Sequence, residues 1–136
     1  MGTRSITTIL EADADGKKRK VATIYCQYDG YPSGQGQKLH EFLHPINVCN
    51  GIGRNQTAGD WANGAGCLAA QLVKHLKAGI GNVYLVAPRT KLEWEDYGYE
   101  ITVKADLSIN VVVRRPGKKL FDGTVFEFGK FCSKES

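Results

Sequence analysis

The sequence predicts an α+β fold: a mostly antiparallel sheet of about six strands covered by two helices. Two observations lead there. Strand-like runs open and close the chain, while patterns with helical spacing are confined to its middle. Segregated runs of this kind argue against alternating βαβ units and a wholly parallel sheet. Turn signals at Asp15-Gly16, Asp29 to Gly34 and Pro116-Gly117 separate several of these runs.

Each element has its own signal. Ile6 to Leu10 and Val21 to Tyr28 are rich in Ile, Val, Thr and Tyr and read as strands. Between them, Asp13-Ala14-Asp15-Gly16 precedes Lys17 to Lys20, which reads as a hairpin with a charged tip. Asp29-Gly30-Tyr31-Pro32-Ser33-Gly34 is a tight, shaped loop. Ser33 is placed to cap a helix running from about Gly34 or Gln35 to His44, with Leu39, Phe42 and Leu43 as its buried stripe. Pro45 ends it. Residues 47–59 read as a polar, glycine-rich loop or a broken helix. A second helix is expected from about Asp60 to Lys77, where Trp61, Ala65, Leu68, Ala69, Leu72, Val73 and Leu76 keep helical spacing. Gly64 and Gly66 weaken it by about 1 kcal/mol each relative to alanine. Their presence predicts a close packing neighbour, and Gly79 reads as its C-cap. Asn82 to Ala87, Tyr97 to Lys104, Ser108 to Arg115 and Lys119 to Phe128 read as four further strands. Tyr97, Tyr99, Ile101 and Val103 share one face by period two. Arg114 to Lys119 forms a basic turn.

Composition bounds the class. The 136 residues are 42% hydrophobic and 24% charged, as in an average globular domain. That excludes disorder, collagen and coiled coil, and one ligand-binding domain over residues 1–136 is expected. No apolar stretch approaches the roughly 20 residues of a membrane helix. No secretory or myristoylation signal is read at the start, so an intracellular chain is expected. Asn55-Gln56-Thr57 is then a sequon by spelling only. Cys26, Cys49, Cys67 and Cys132 form no CxxC and read as reduced, mostly buried thiols. The net charge of +4, from 18 basic and 14 acidic residues, is mild and fits a small anion or phosphorylated ligand.

Four patterns bear on chemistry. His40-Glu41-Phe42-Leu43-His44 spells HExxH, which on a long helix holds zinc and activates water. Here Pro45 cuts the helix at the second histidine, and His75 lacks the spacing of a third ligand, so surface histidines and no metal are expected. Gly34-Gln35-Gly36 and Gly51-Ile52-Gly53 complete no phosphate-binding fingerprint. No GxSxG or cysteine-hydrolase pattern is present, and Glu93, Glu95 and Asp96 read as solvated surface; neither an enzyme nor a cofactor is expected. Finally, Arg89, Lys91, Trp94, Tyr97, Tyr99, Lys104, Arg114, Arg115, Lys118, Lys119 and Phe121 interleave cations with aromatics. Guanidinium groups grip phosphates and aromatics stack on bases. Edge-strand charge beside a core of aromatics is the plainer alternative.

Gly2-Thr3-Arg4-Ser5-Ile6, followed by Ile24-Tyr25-Cys26-Gln27-Tyr28-Asp29-Gly30-Tyr31-Pro32-Ser33-Gly34, resembles small bacteriophage and prophage proteins. Among them it is similar to the phage Thoeris anti-defence proteins of the first type. The resemblance implies a sponge in the cytoplasm of the infected host. Such a sponge holds a cyclic ADP-ribose isomer without cleaving it, and some members also hold cyclic oligonucleotides of CBASS defence at a separate site. It implies a homo-oligomer, a dimer assembling into a hexamer, with no membrane and no stable nucleic-acid partner. The chemistry of such a ligand places Arg114, Arg115 and Lys118 on the diphosphate and Tyr97 or Tyr99 on the base, with Phe121 nearby. Arg89, Thr90 and Lys104 form a second basic cluster. The loop Asp29 to Gly34 with Arg54 is the fallback. The rival readings are a single-stranded nucleic-acid binder and an HExxH zinc hydrolase.

Overall fold

The computed structural model describes residues 2–51, 53, 60–90 and 95–134. Eight strands and three α-helices follow in the order β1 (Ser5–Ala12), β2 (Lys18–Cys26), α1 (Gln37–Leu43), β3 (Asn47–Cys49), β4 (Trp61–Asn63), α2 (Gly64–Leu76), β5 (Val83–Val86), β6 (Tyr97–Val103), β7 (Ile109–Arg115), β8 (Lys118–Thr124) and α3 (Val125–Lys134). The main sheet has six strands in the order β5-β2-β1-β6-β7-β8. Every pairing in it is antiparallel except β1 with β6. An α+β fold with a mostly antiparallel six-stranded sheet is therefore what the chain adopts.

Register sorts the side chains by period two. Ser5, Thr7 and Ile9 of β1 lie beside Tyr97, Tyr99 and Ile101 of β6, and these in turn beside Val113 and Val111 of β7. This face carries the core. Ile9, Ile24, Tyr99, Ile101, Val111 and Val113 lie under Leu39 of α1, Leu68 and Leu72 of α2, and Phe128 and Cys132 of α3, all fully buried or nearly so. The opposite face carries Gly98, Glu100 and Arg114.

Three elements differ from the sequence reading. The strand expected over Lys119 to Phe128 stops at Thr124, and a third helix begins at Val125. Its start is a reciprocal cap. The Thr124 amide donates to Glu127 Oε1 (3.0 Å), and the Glu127 amide donates to Thr124 Oγ1 (3.2 Å). Those bonds hold the Glu127 carboxyl below its ordinary range. Helix α2 starts at Gly64 rather than Asp60, because Trp61–Asn63 pairs in parallel with Asn47–Cys49 in a second, two-stranded sheet. Among the described residues, no neighbour packs close to its two glycines either. A β-carbon at Gly64 or Gly66 would meet nothing within 4 Å, and Gly64 instead takes a positive φ of 81° at the strand-to-helix switch. The helix also ends at Leu76 with Lys77 as its C-cap, two residues before Gly79. Helix α1 is entered through a π-helical turn, Pro32–Gly36, with no side-chain cap, so Ser33 does not cap it.

Candidate functional site

The loop after β2 is a structural joint. Asp29 adopts φ 56°, and its carbonyl accepts the Gln35 amide at 2.7 Å. The Gly30 amide donates to the Thr3 carbonyl at 2.8 Å. The Gln35 side chain reaches the buried Thr7 hydroxyl at 3.3 Å. Pro32, Gln35 and Gly36 are buried. The segment that carried the family resemblance thus seats α1 on the sheet. The fallback set that paired it with Arg54 lies partly outside the described residues.

The basic and aromatic set of the second half is brought together only in part: Tyr97, Arg114 and Arg115 line one cavity, whereas the Tyr99 ring and Phe121 pack inward. Tyr99 is fully buried, its ring edge-on to Phe128 at 6.3 Å, and its hydroxyl donates to the Gly30 carbonyl at 2.7 Å. Phe121 stacks on Phe131 at 5.2 Å and lies 6.0 Å from Phe128. The Tyr99 ring is enclosed, which corrects its assignment as a stacking platform, and Phe121 is half-buried against the core. Arg114 faces the other side of the sheet, 3.4 Å from Glu100. Arg115 lies over the Tyr97 ring at 4.9 Å. Lys118 is exposed at the turn, where Gly117 has φ 74°. Period two sends the consecutive Arg114 and Arg115 off opposite faces at the strand end, and both still border the same cavity. Lys91, Glu93 and Trp94 lie outside the described residues.

The HExxH segment is likewise structural in placement. The His40 and His44 rings lie 5.3 Å apart, and His40 rests against Gly129 of α3, where a β-carbon would collide with its ring. Burial and the neighbouring His44 lower the His40 pKa. His75 lies beside Phe42 instead, with ring centroids 5.4 Å apart. No cluster of three metal-ligating side chains occurs among the described residues. Cys26, Cys49 and Cys132 are buried and Cys67 is exposed, all free thiols. Burial pushes the Cys26 thiol up to about 11 and Cys132 to about 12, so neither supplies a thiolate nucleophile near neutral pH.

Cations do converge elsewhere. A cavity of about 900 Å³ opens at the end of the sheet where β1 and β6 finish and β2 starts. Ligand sites run from about 300 to 1,000 Å³, so a nucleotide-sized molecule fits. Lys17, Lys18, Arg19 and Lys20 line it from the first hairpin, and Arg89 and Lys104 line it from the ends of other elements. Glu11 and Asp13 are its two carboxylates, and both are engaged. Glu11 pairs with Arg19 at 2.7 Å, and Asp13 Oδ1 accepts the Asp15 and Lys17 amides at 3.0 and 2.9 Å. Among the described residues, Lys17, Lys18, Lys20, Arg89 and Lys104 make no ion pair. Arg89 and Lys104 of the expected second cluster therefore share this cavity. Thr90 borders a smaller one of about 390 Å³ with Tyr97, Arg114, Arg115 and Glu100, so this cavity gathers predicted residues of both clusters.

The sequence reading does not place the hairpin cations at a cavity. The strands were drawn too short, so Lys18 to Lys20 read as a solvated tip instead of the first residues of β2. Four consecutive cations beside an Asp-Gly turn were the available signal. Comparison with protein-family models, curated proteins and solved structures returned no match to this chain.

Proposed function

We propose that this protein is a non-catalytic nucleotide sponge. It binds a phosphate-bearing cyclic nucleotide in the cationic cavity and releases it chemically intact. The observation that carries this reading is the imbalance of charge around a cavity of about 900 Å³: six cations against two carboxylates, with Arg19 alone of the cations paired among the described residues, to Glu11. A diphosphate entering that space meets Lys17, Lys18, Lys20, Arg89 and Lys104, which make no ion pair among the described residues, and charged hydrogen bonds of this kind are the strong ones. The family resemblance names the ligand: a cyclic ADP-ribose isomer made in Thoeris defence, with cyclic oligonucleotides of CBASS as a second class. A homo-oligomer in the cytoplasm of an infected bacterium accompanies that reading.

The test is direct. Purified protein is incubated with extract from cells whose TIR-domain defence is active, then washed and heat-denatured, and the released material is identified by mass spectrometry. An intact cyclic ADP-ribose isomer is expected. Release of a hydrolysed product, or of nothing, overturns the proposal. Retention of oligonucleotides whose affinity climbs with length and falls steeply with salt would support the single-stranded nucleic-acid reading instead.

A further inference from the structure

The turn between β6 and β7 holds a residue that its backbone does not favour. The Lys104 amide donates to the Ser108 carbonyl and the Leu107 amide donates to the Lys104 carbonyl, both at 2.9 Å. Leu107 closes this turn at φ 71°. Glycine or asparagine takes that left-handed conformation readily, whereas a branched apolar side chain opposes it. Turn formation does not require the leucine. Asp106 Oδ1 already fixes the turn by accepting the Ser108 amide at 3.0 Å and the Ser108 hydroxyl at 2.6 Å. Core burial does not require it either, because Leu107 is 36% exposed. Where the side chain does lie is along the cationic cavity, together with Ala12, Val103 and Ala105. Strained residues concentrate at ligand sites, where the side chain is needed despite its backbone.

We propose that Leu107 is the specificity residue of this cavity and selects a diphosphate that carries a flat, nucleobase-like ring over a bare inorganic anion. The inference rests on the reading of the cavity as the ligand site. Cations grip the phosphates without regard to what is attached to them, so discrimination falls to the apolar lining. Leu107 is the one large exposed apolar side chain among the lining residues, with the small Ala12 and Ala105 beside it, so the apolar contact is the size of a ring rather than a track for a long acyl chain.

ADP and pyrophosphate share a diphosphate and differ by adenosine, which makes them the probes. Calorimetry on the full chain compares both, with octyl phosphate as a third, for the parent protein, Leu107→Gly and Leu107→Asn. The parent is expected to prefer ADP over pyrophosphate at least tenfold. Both variants should lose that preference while keeping their pyrophosphate affinity, with a melting temperature unchanged or raised. A variant that keeps the full preference overturns the inference, as does octyl phosphate binding more tightly than ADP. Equal affinity of the parent for ADP and pyrophosphate overturns it too and leaves the cationic site standing. No binding of either diphosphate to the parent overturns the cavity reading itself.

Discussion

The Tyr99 hydroxyl donates a 2.7 Å hydrogen bond to the carbonyl of Gly30, joining β6 to a loop 69 residues earlier in the chain. The ring is fully buried, and burial raises the pKa of the hydroxyl, which stays protonated and able to donate. Removing the donor leaves a buried carbonyl without this partner. Tyr99→Phe is therefore expected to destabilise the fold by about 1–3 kcal/mol. Urea denaturation measures this. Ligand retention by the folded variant should match the parent, because Tyr99 serves the joint and not the cavity; lost retention in a folded Tyr99→Phe would return the ring to the site.

Gly30 is held from the other side as well. A β-carbon there would sit 2.8 Å from the Arg4 carbonyl carbon and 2.9 Å from the Thr3 oxygen. Both are backbone atoms of the chain leading into the central strand β1, and they cannot swing aside as a side chain can. Gly30→Ala should cost about 1–3 kcal/mol through overpacking. A urea midpoint equal to that of the parent would show that the β1 entry yields freely.

His40 gives the stability a pH dependence. Burial first, and then His44, lowers its pKa in the folded state below the ordinary histidine value. The unfolded chain thus binds the proton more readily than the native one, and stability rises with pH across that interval. The contribution is present above about pH 6.5, the unfolded value, and is lost as pH falls below it. Urea midpoints between pH 7.5 and 5.5 should fall more for the parent than for His40→Gln. Parallel slopes for the two proteins would remove His40 as the cause.

Much of this fold was legible because periodicity reports burial. Leu39, Phe42 and Leu43 on α1, and Leu68, Ala69 and Leu72 on α2, are buried as their spacing required. Helix α3 escaped because Leu120, Phe121, Val125, Phe126 and Phe128 form a β-favouring run through which strand and helix continue without a glycine or proline break after Gly123. The Thr124–Glu127 capping box was the signal that separates them. The two-stranded β3–β4 pairing was illegible because its partners are three residues each and lie far apart in the chain. At the site, residue type identified Arg89 and Lys104, but only the strand pairing shows that they meet the first hairpin around one cavity. Which strands become neighbours, as in the parallel β1–β6 pair, joins segments about 90 residues apart, and a local pattern does not encode that.

The two sets of cations make opposite forecasts for charge reversal. Arg89 and Lys104 line the large cavity, whereas Arg114 lies outside it beside Glu100. Arg89→Glu and Lys104→Glu each replace an attractive charge with a repulsive one beside the phosphates. Each should weaken capture of a diphosphate roughly tenfold or more, on the order of one lost charged hydrogen bond. Arg114→Glu disturbs an exposed ion pair on the far face, where such pairs contribute about 0–1 kcal/mol, and should leave affinity within about twofold. Added salt should weaken binding by the parent and narrow its lead over the two cavity variants, because ions screen exposed charges. Calorimetry at low and high salt with the ligand released from defence-active extract reads all three. Strong loss from Arg114→Glu, with Arg89→Glu and Lys104→Glu binding like the parent, would move the site to the open face of the sheet.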